Sequence, residues 1–330
     1  MLLRILACPQ CGGDLRSSPA PASDDRRALV CEQCQAAYAT VSGVPRLNLG
    51  VAEHRLTNVA RTFSFEWNAH HKGEFESDTL FGRTREQDWA MVKEAMGITE
   101  EDVQGATVLD AGCGSGRFCQ LFAEHGAQTV VGVDMNEAVE EAARHCHEHE
   151  NVHIVQGNIF QLPFKPAVFD LVWCNGVLHH TPDAAGAYRS LARHVRPGGV
   201  LYVWVYPARF NPFRVTKSLL RIARPHRWHP FALQLLSILL AYTSLPLLAL
   251  YRLVRSLPGL RPRGSWGMRT VRRRTLPELK LTWFDALSPE FDTRHSEKEV
   301  VSWFRRQGFS DVRVLDEPKV GVRGVARATS

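Results

Sequence analysis

Short apolar runs at 107–110, 129–133, 152–155, 170–174 and 200–206 read as buried strands. Amphipathic stretches separate them, the clearest being Arg117–His125. Strand and helix therefore alternate, which predicts a parallel sheet covered on both faces, with its ligand beyond the strand C-termini. Ser296-Glu297-Lys298-Glu299 is a capping box that opens a last helix. Val300, Val301, Phe304 and then Phe309 follow at roughly helical spacing, and Val312–Leu315 and Val320–Ala326 read as a closing pair of strands. Trp303 and Phe304 are expected in the core.

Two zones break this alternation. Residues 1–50 hold too little apolar sequence for a core of their own. Phe231–Leu250 carries no charge at all and has the length of a bilayer span. Gln234, Ser237, Thr243, Ser244 and Pro246 argue against a span. The expectation is a helical hairpin broken at Ser244-Leu245-Pro246, which keeps both ends of the insertion together.

Composition sharpens the second zone. The chain has 330 residues, 40 Lys and Arg, 34 Asp and Glu, and a formal net charge of +6. The excess is not spread evenly. From Ala184 to Pro277, 94 residues contain no Asp or Glu and 17 Lys and Arg. The rest carries 23 basic residues against all 34 acidic ones. A cationic, apolar insertion is attracted to an anionic membrane surface, here through 207–274. It also suits a lid over a hydrophobic substrate, a plain helical cap or a homodimer interface. Aromatic residues that stack on bases are sparse there, so nucleic acid fits less well.

Cys8-Pro9-Gln10-Cys11 and Cys31-Glu32-Gln33-Cys34 form two knuckles about twenty residues apart. Four thiolates at that spacing fill a tetrahedron, so Cys8, Cys11, Cys31 and Cys34 are read as ligands of structural Zn2+ that supplies folding energy. Met1–Ala7 is too short for a secretory signal, and the eight cysteines are expected reduced in the cytoplasm. Residues 1–50 resemble the zinc-ribbon activator subunit of certain tRNA and protein methyltransferases, a ribbon also found fused to bacterial methyltransferases.

After the first strand comes Ala111-Gly112-Cys113-Gly114-Ser115-Gly116, and Asp134 ends the second. Glycines admit close backbone approach, and an acidic residue there suits a ribose diol. VLDAGCGSGRF (108–118), VVGVDMN (130–136), QGNIFQLPF (156–164), FDLVWCNGVLHHTPD (169–183) and LARHVRPGGVLYVWVY (191–206) together resemble class I S-adenosylmethionine-dependent methyltransferases of the type 11 kind. The resemblance implies a Rossmann-like seven-stranded α/β sheet carrying an N-terminal zinc ribbon. A helical insertion falls between the fifth strand and the last helix. The implied division is 1–50 ribbon, 51–104 helical cap or linker, 105–206 core, 207–289 insertion or lid, and 290–330 end of the core.

It further implies that Gly112, Gly114 and Gly116 line the methionine moiety of S-adenosylmethionine and that Asp110 orients the loop and the cofactor ammonium. Asp134 would hold the ribose and Met135 would lie on the adenine. Asn158 and Ile159 would flank its edge, and Asn175 would meet the sulfonium arm. Where Asn158 stands the family usually has Asp. Candidate catalytic residues are His179, His180 and His295, with Asp285 nearby in sequence. His179-His180 resembles a pocket-shaping pair found with many substrates. His295, beside Asp285 and Pro289, resembles a stretch of a subset of ribbon-fused enzymes. Thr62-Phe63-Ser64-Phe65-Glu66-Trp67 resembles an element that precedes such cores and closes over the cofactor.

The expected function is methyl transfer to a small hydrophobic or lipid-like acceptor, of secondary-metabolite, isoprenoid or quinone type. The alternatives are an RNA (tRNA) methyltransferase and a non-catalytic S-adenosylmethionine-binding protein.

Overall fold

A computed structural model describes residues 1–18, 28–48, 84–136, 139–208, 212–256, 276–315 and 321–327. The 62–67 element and the arginines at 261, 263, 269 and 272–274 lie outside them. The chain divides into one unit of Met1–Arg61, Ala90–Ala208 and Phe291–Ser330, and a second of Thr62–Trp89 and Arg209–Glu290.

The first unit opens with α1 (Leu2–Ile5) and a four-stranded antiparallel sheet of β1 (Leu15–Ser18), β2 (Ala28–Cys31), β3 (Ala37–Val41) and β4 (Val44–Pro45). Helices α2 (Arg85–Met96) and α3 (Glu100–Val103) lead into the core, the latter held by a capping box between Thr99 and Asp102. Then come β5 (Thr107–Ala111), α4 (Arg117–Glu124), β6 (Thr129–Asp134), α5 (Val139–His145), β7 (Val152–Gln156), β8 (Phe169–Asn175), α6 (Ala184–Ala192) and β9 (Val195–Trp204). Nearly every residue of β5, β6 and β8 is buried, because helices flank a parallel sheet on both sides.

Helix α10 (Glu297–Arg306) starts on the Ser296–Glu299 capping box. It precedes β10 (Phe309–Val314) and β11 (Gly321–Ala326). The seven-stranded order is β10-β11-β9-β8-β5-β6-β7, parallel from β9 to β7, with β11 antiparallel to both its neighbours so that β10 runs in the same direction as β9. This is the Rossmann-like methyltransferase sheet that the motifs imply. Phe309 does not continue the helix stripe. Gly308 at φ +77° breaks the helix and Phe309 opens β10.

The four-stranded sheet shares one hydrophobic core with the large one. Leu6, Leu15, Leu29, Tyr38 and Leu47 pack in the same buried cluster as Leu109, Val133 and Phe164. Leu6 bridges Phe164, and Arg46 bridges Gln156, so the β4 exit lies along the β7 edge.

In the second unit, α7 (Pro212–Ile222), α8 (Pro230–Ser256) and α9 (Leu276–Leu287) pack around Leu233, Ala241, Leu279, Trp283 and Phe284. No hairpin forms at Ser244-Leu245-Pro246: α8 runs unbroken through Pro246. A helix-interior proline removes one hydrogen bond and costs about 3 kcal/mol. Hydroxyls beside it bond carbonyls of the preceding turn, Thr243 to Leu239 at 3.0 Å and Ser244 to Leu240 at 2.6 Å. The Trp283 indole N–H donates to Ser244 Oγ at 2.9 Å, pinning the turn to α9.

Candidate active site

The loop after β5 places three positive-φ glycines in succession, Gly112 at +80°, Gly114 at +52° and Gly116 at +81°. Gly112 N donates to Val133 O at 2.7 Å, tying the loop to β6. A Cβ on Gly112 would sit 2.3 Å from Val177 Cγ2, so this loop and the turn after β8 touch directly. Asp134 at the end of β6 accepts from Gly114 N at 2.9 Å and Asn136 N at 3.1 Å. Asn158 Oδ1 accepts from Phe160 N at 3.0 Å, and a carbonyl oxygen keeps a second lone pair for a ligand donor. Met135, Ile159 and Asn175 are half-buried around the same strand ends.

Asp110 is buried beneath the loop, where Cys119 Sγ donates to its Oδ2 at 3.3 Å. Burial pushes its carboxyl up to about 7, and the nearby Asp134 charge adds to the rise. Asp134 is raised too, again by burial, with the N–H groups of Asn136 and Gly114 acting against it.

On the neighbouring rim, Leu178–His180 form one turn of 3₁₀-helix with both histidines buried. The His179 ring stacks on Tyr206 at 3.8 Å between centroids, and Trp204 meets both edge-on at 5.6 Å. Asn175 pairs with Trp204 across β8 and β9, and Gly176 lies against the indole. His180 Nδ1 donates to Phe291 O at 3.0 Å.

His295 is buried, its Nδ1 2.9 Å from Glu299 Oε1 and its Nε2 2.9 Å from Thr293 Oγ1. Thr293 N donates to His179 O, and His295 N to Tyr206 O. Both His295 ring nitrogens are thus engaged within the protein, and the ring braces the 291–295 segment against the histidine turn. Asp285 belongs to the second unit, on α9.

The four ribbon cysteines bring their Sγ atoms within 4.8 Å of one another. Cys8 and Cys34 are 3.7 Å apart, and Cys11 and Cys31 3.4 Å. Zinc–thiolate bonds of ~2.3 Å in a tetrahedron require edges of ~3.8 Å, so the donor set fits that metal. Each knuckle turns through a left-handed residue four places after its first cysteine, Gly12 at φ +79° and Gln35 at +59°. Tyr38 Oη lies 3.0 Å from Cys8 Sγ.

Residues 109–203 match a family model described as a methyltransferase domain. This segment is a methyltransferase domain. A ubiquinone biosynthesis O-methyltransferase of Coxiella burnetii (strain RSA 493 / Nine Mile phase I) is 33% identical over 116 residues, 34% of this chain and 49% of its own. A tRNA U34 carboxymethyltransferase of Pseudoalteromonas translucida is 38% identical over 104 residues, 31% of this chain and 32% of its own. The chain thus spans half or less of the length of these curated relatives. The magnesium protoporphyrin IX methyltransferase structure from Synechocystis PCC 6803 aligns over 82% of this chain and 99% of its own, with 17% identity and a TM-score of 0.47.

The methyltransferase domain contains contacts that local sequence patterns miss. Trp204 and Tyr206 reach His179 through the pairing of β8 with β9, and Thr293 and Glu299 come in beside them through pairing between Pro207 and His295. The alternation Trp204-x-Tyr206 was the one available signal. The first knuckle also touches the segment expected to frame the adenine. Gln161 Nε2 donates to Pro9 O, Ala7 N to Pro163 O at 2.9 Å, and Lys165 N to Ile5 O at 2.8 Å.

Asp110 yields a pH prediction for the methyltransferase domain. A cofactor ammonium paired with this carboxylate, the role the resemblance implies, would compete with the proton held at about 7 in the free protein. Below that pH, affinity by calorimetry is expected to fall toward tenfold per pH unit, and Asp110→Asn is expected to flatten the profile. Without ligand the sign reverses. Between the ordinary 3.8 and about 7 the folded chain holds a proton that the unfolded chain does not, so stability rises as pH falls through that window.

Proposed function

We propose that the protein transfers a methyl group from S-adenosylmethionine to a hydrophobic, ring-bearing small molecule of quinone or isoprenoid type, with a structural zinc ion in Cys8, Cys11, Cys31 and Cys34. The observation that carries the acceptor class is the aromatic rim of His179, Trp204 and Tyr206 beside Gly176. Flat rings offer apolar area and edge-to-face contacts to a planar acceptor. The ubiquinone biosynthesis relatives point the same way.

The cofactor supplies a methyl group on a cationic sulfur with a good leaving group. Alignment therefore carries much of the rate. The Gly112–Gly116 loop admits the methionine moiety, Asp110 pairs its ammonium and Asp134 takes the ribose hydroxyls. Met135, Asn158 and Ile159 frame the base, and Asn175 borders the sulfonium arm. His180 would take a proton from a phenolic acceptor, a role worth about 10²–10⁴ in rate. His179 and His295 position it, His179 by stacking on Tyr206 and His295 by holding Thr293.

A second reading rests on the tRNA U34 carboxymethyltransferase relative, and takes RNA as the acceptor. One experiment separates the two. The pure protein is incubated with methyl-labelled cofactor and a cell extract, which is then split into lipid, small-molecule and RNA fractions. Label is expected in the organic fraction. Label confined to RNA overturns the acceptor, and no transfer with intact cofactor binding overturns catalysis.

A further inference from the structure

We propose that the exposed face of α8 is a peripheral docking surface for an anionic lipid bilayer. This goes beyond the acceptor reading, since lipid binding is measured without acceptor or cofactor.

From Pro230 to Tyr251 the helix contains no charged residue. One side packs inward, with Leu233, Ser237 and Ala241 buried against the partners on α9. A helix with a single buried stripe ordinarily turns polar residues outward. Here the opposite side exposes Phe231 at 59%, Leu235 at 52%, Leu239 at 60%, Tyr242 at 53% and Leu245 at 38%. Their spacing of four, four, three and three keeps them on one face, within an arc of about 120° and ~21 Å long. Leu219 and Ile222 on α7 are exposed at 62% and 75%, and Trp228 between the helices at 41%. Exposed apolar residues concentrated in this way mark an interaction surface.

Charge selects the occupant. Arg224 and Arg227 are exposed in the turn that leads into α8, and Lys280 of α9 lies over the Tyr242 ring at 5.8 Å. In sequence, Arg252 and Arg255 close the helix. No Asp or Glu occurs anywhere from Ala184 to Pro277. A mixed protein interface would use both signs. A leaflet with anionic headgroups above acyl chains calls for cations beside an apolar face, with Trp and Tyr at the level of the headgroups. The helix would lie in the interface: among the described residues, no helix is long and apolar enough to cross a membrane.

The test is flotation of the full-length protein with phosphatidylcholine vesicles, with and without phosphatidylglycerol. Recovery is expected only with the anionic lipid, and high salt is expected to lower it. Arg224→Ser with Arg227→Ser is expected to reduce partitioning by about thirtyfold. Leu235→Glu with Leu239→Glu is expected to abolish it while cofactor affinity stays within twofold of the parent, which shows that the variant folds. No flotation of the parent on either vesicle overturns the proposal. So does undiminished flotation of Leu235→Glu with Leu239→Glu. A non-floating parent that sediments as a dimer, split by that double variant, assigns the face to a second copy instead.

Discussion

Gly112→Ala is expected to remove measurable cofactor binding by calorimetry, a loss of more than about a hundredfold in affinity. The position combines two costs. Its φ of +80° lies where L side chains rarely go. That strain alone costs on the order of 1–3 kcal/mol. In addition, the new Cβ would meet Val177 Cγ2 at 2.3 Å and Cγ1 at 3.0 Å. Valine is branched at Cβ and rotates little, so the clash passes to the backbone of the turn after β8. That turn carries Asn175 and Gly176, and the loop carries the N–H that Asp134 accepts. Both walls of the site therefore move together. Gly105→Ala separates the two causes: its φ is +74°, but nothing lies within 4 Å of the added Cβ. It is expected to lower the melting temperature and leave cofactor affinity unchanged. A Gly112→Ala protein that binds cofactor within threefold of the parent would remove this loop from the site.

The second large effect is expected from Cys31→Ser, or from stripping the metal with a chelator. Cys31 is fully buried, and it shares a cluster with Leu109, Val133 and Phe164 of the large sheet. Losing a thiolate ligand from a small ribbon removes folding energy. The damage is expected to spread, because residues 5–9 bond to 161–165 and Leu47 N bonds to Gln156 O at 2.8 Å. The 158–165 segment would lose its support, so melting temperature and cofactor affinity should fall together. The affinity loss is expected to be about tenfold or more, as for a contact network worth over ~1.4 kcal/mol. Metal analysis should find about one zinc per parent chain and none in the variant. Gln161→Ala keeps all four ligands and is expected to retain metal while weakening cofactor binding. Unchanged cofactor affinity in the metal-free protein would show that the ribbon is energetically separate from the core.

Much of this fold is legible along the chain, for a local reason. Strands buried on both faces must be apolar nearly throughout, so β5, β6 and β8 announce themselves. The turn after β5 needs left-handed residues, which restricts it to glycines. Capping boxes close over three residues, so the start of α10 is read directly from Ser296 and Glu299. Errors came where local signals compete. Phe309 fits the helical spacing, but Gly308 ends the helix one residue earlier. Pro246 looks like a break, yet Ser244 is bonded to Trp283 from 39 residues away, and packing against α9 keeps the helix whole.

Sequence alone was sufficient for the alternating α/β order, the glycine loop with Asp110 and Asp134, the cysteine quartet and the confinement of the positive charge to one stretch. Each of these depends on residues a few places apart, or on counts that no folding can alter. It was not sufficient for the histidine cluster. Thr293 reaches the His179 carbonyl across 114 positions, and the 291–295 segment reaches Tyr206 through backbone pairing that any sequence can make. Nor could it show that the ribbon is continuous with the core, or that α8 turns an apolar face outward. Those facts follow from the register and packing of distant segments, and periodicity does not encode which of two apolar faces finds a partner.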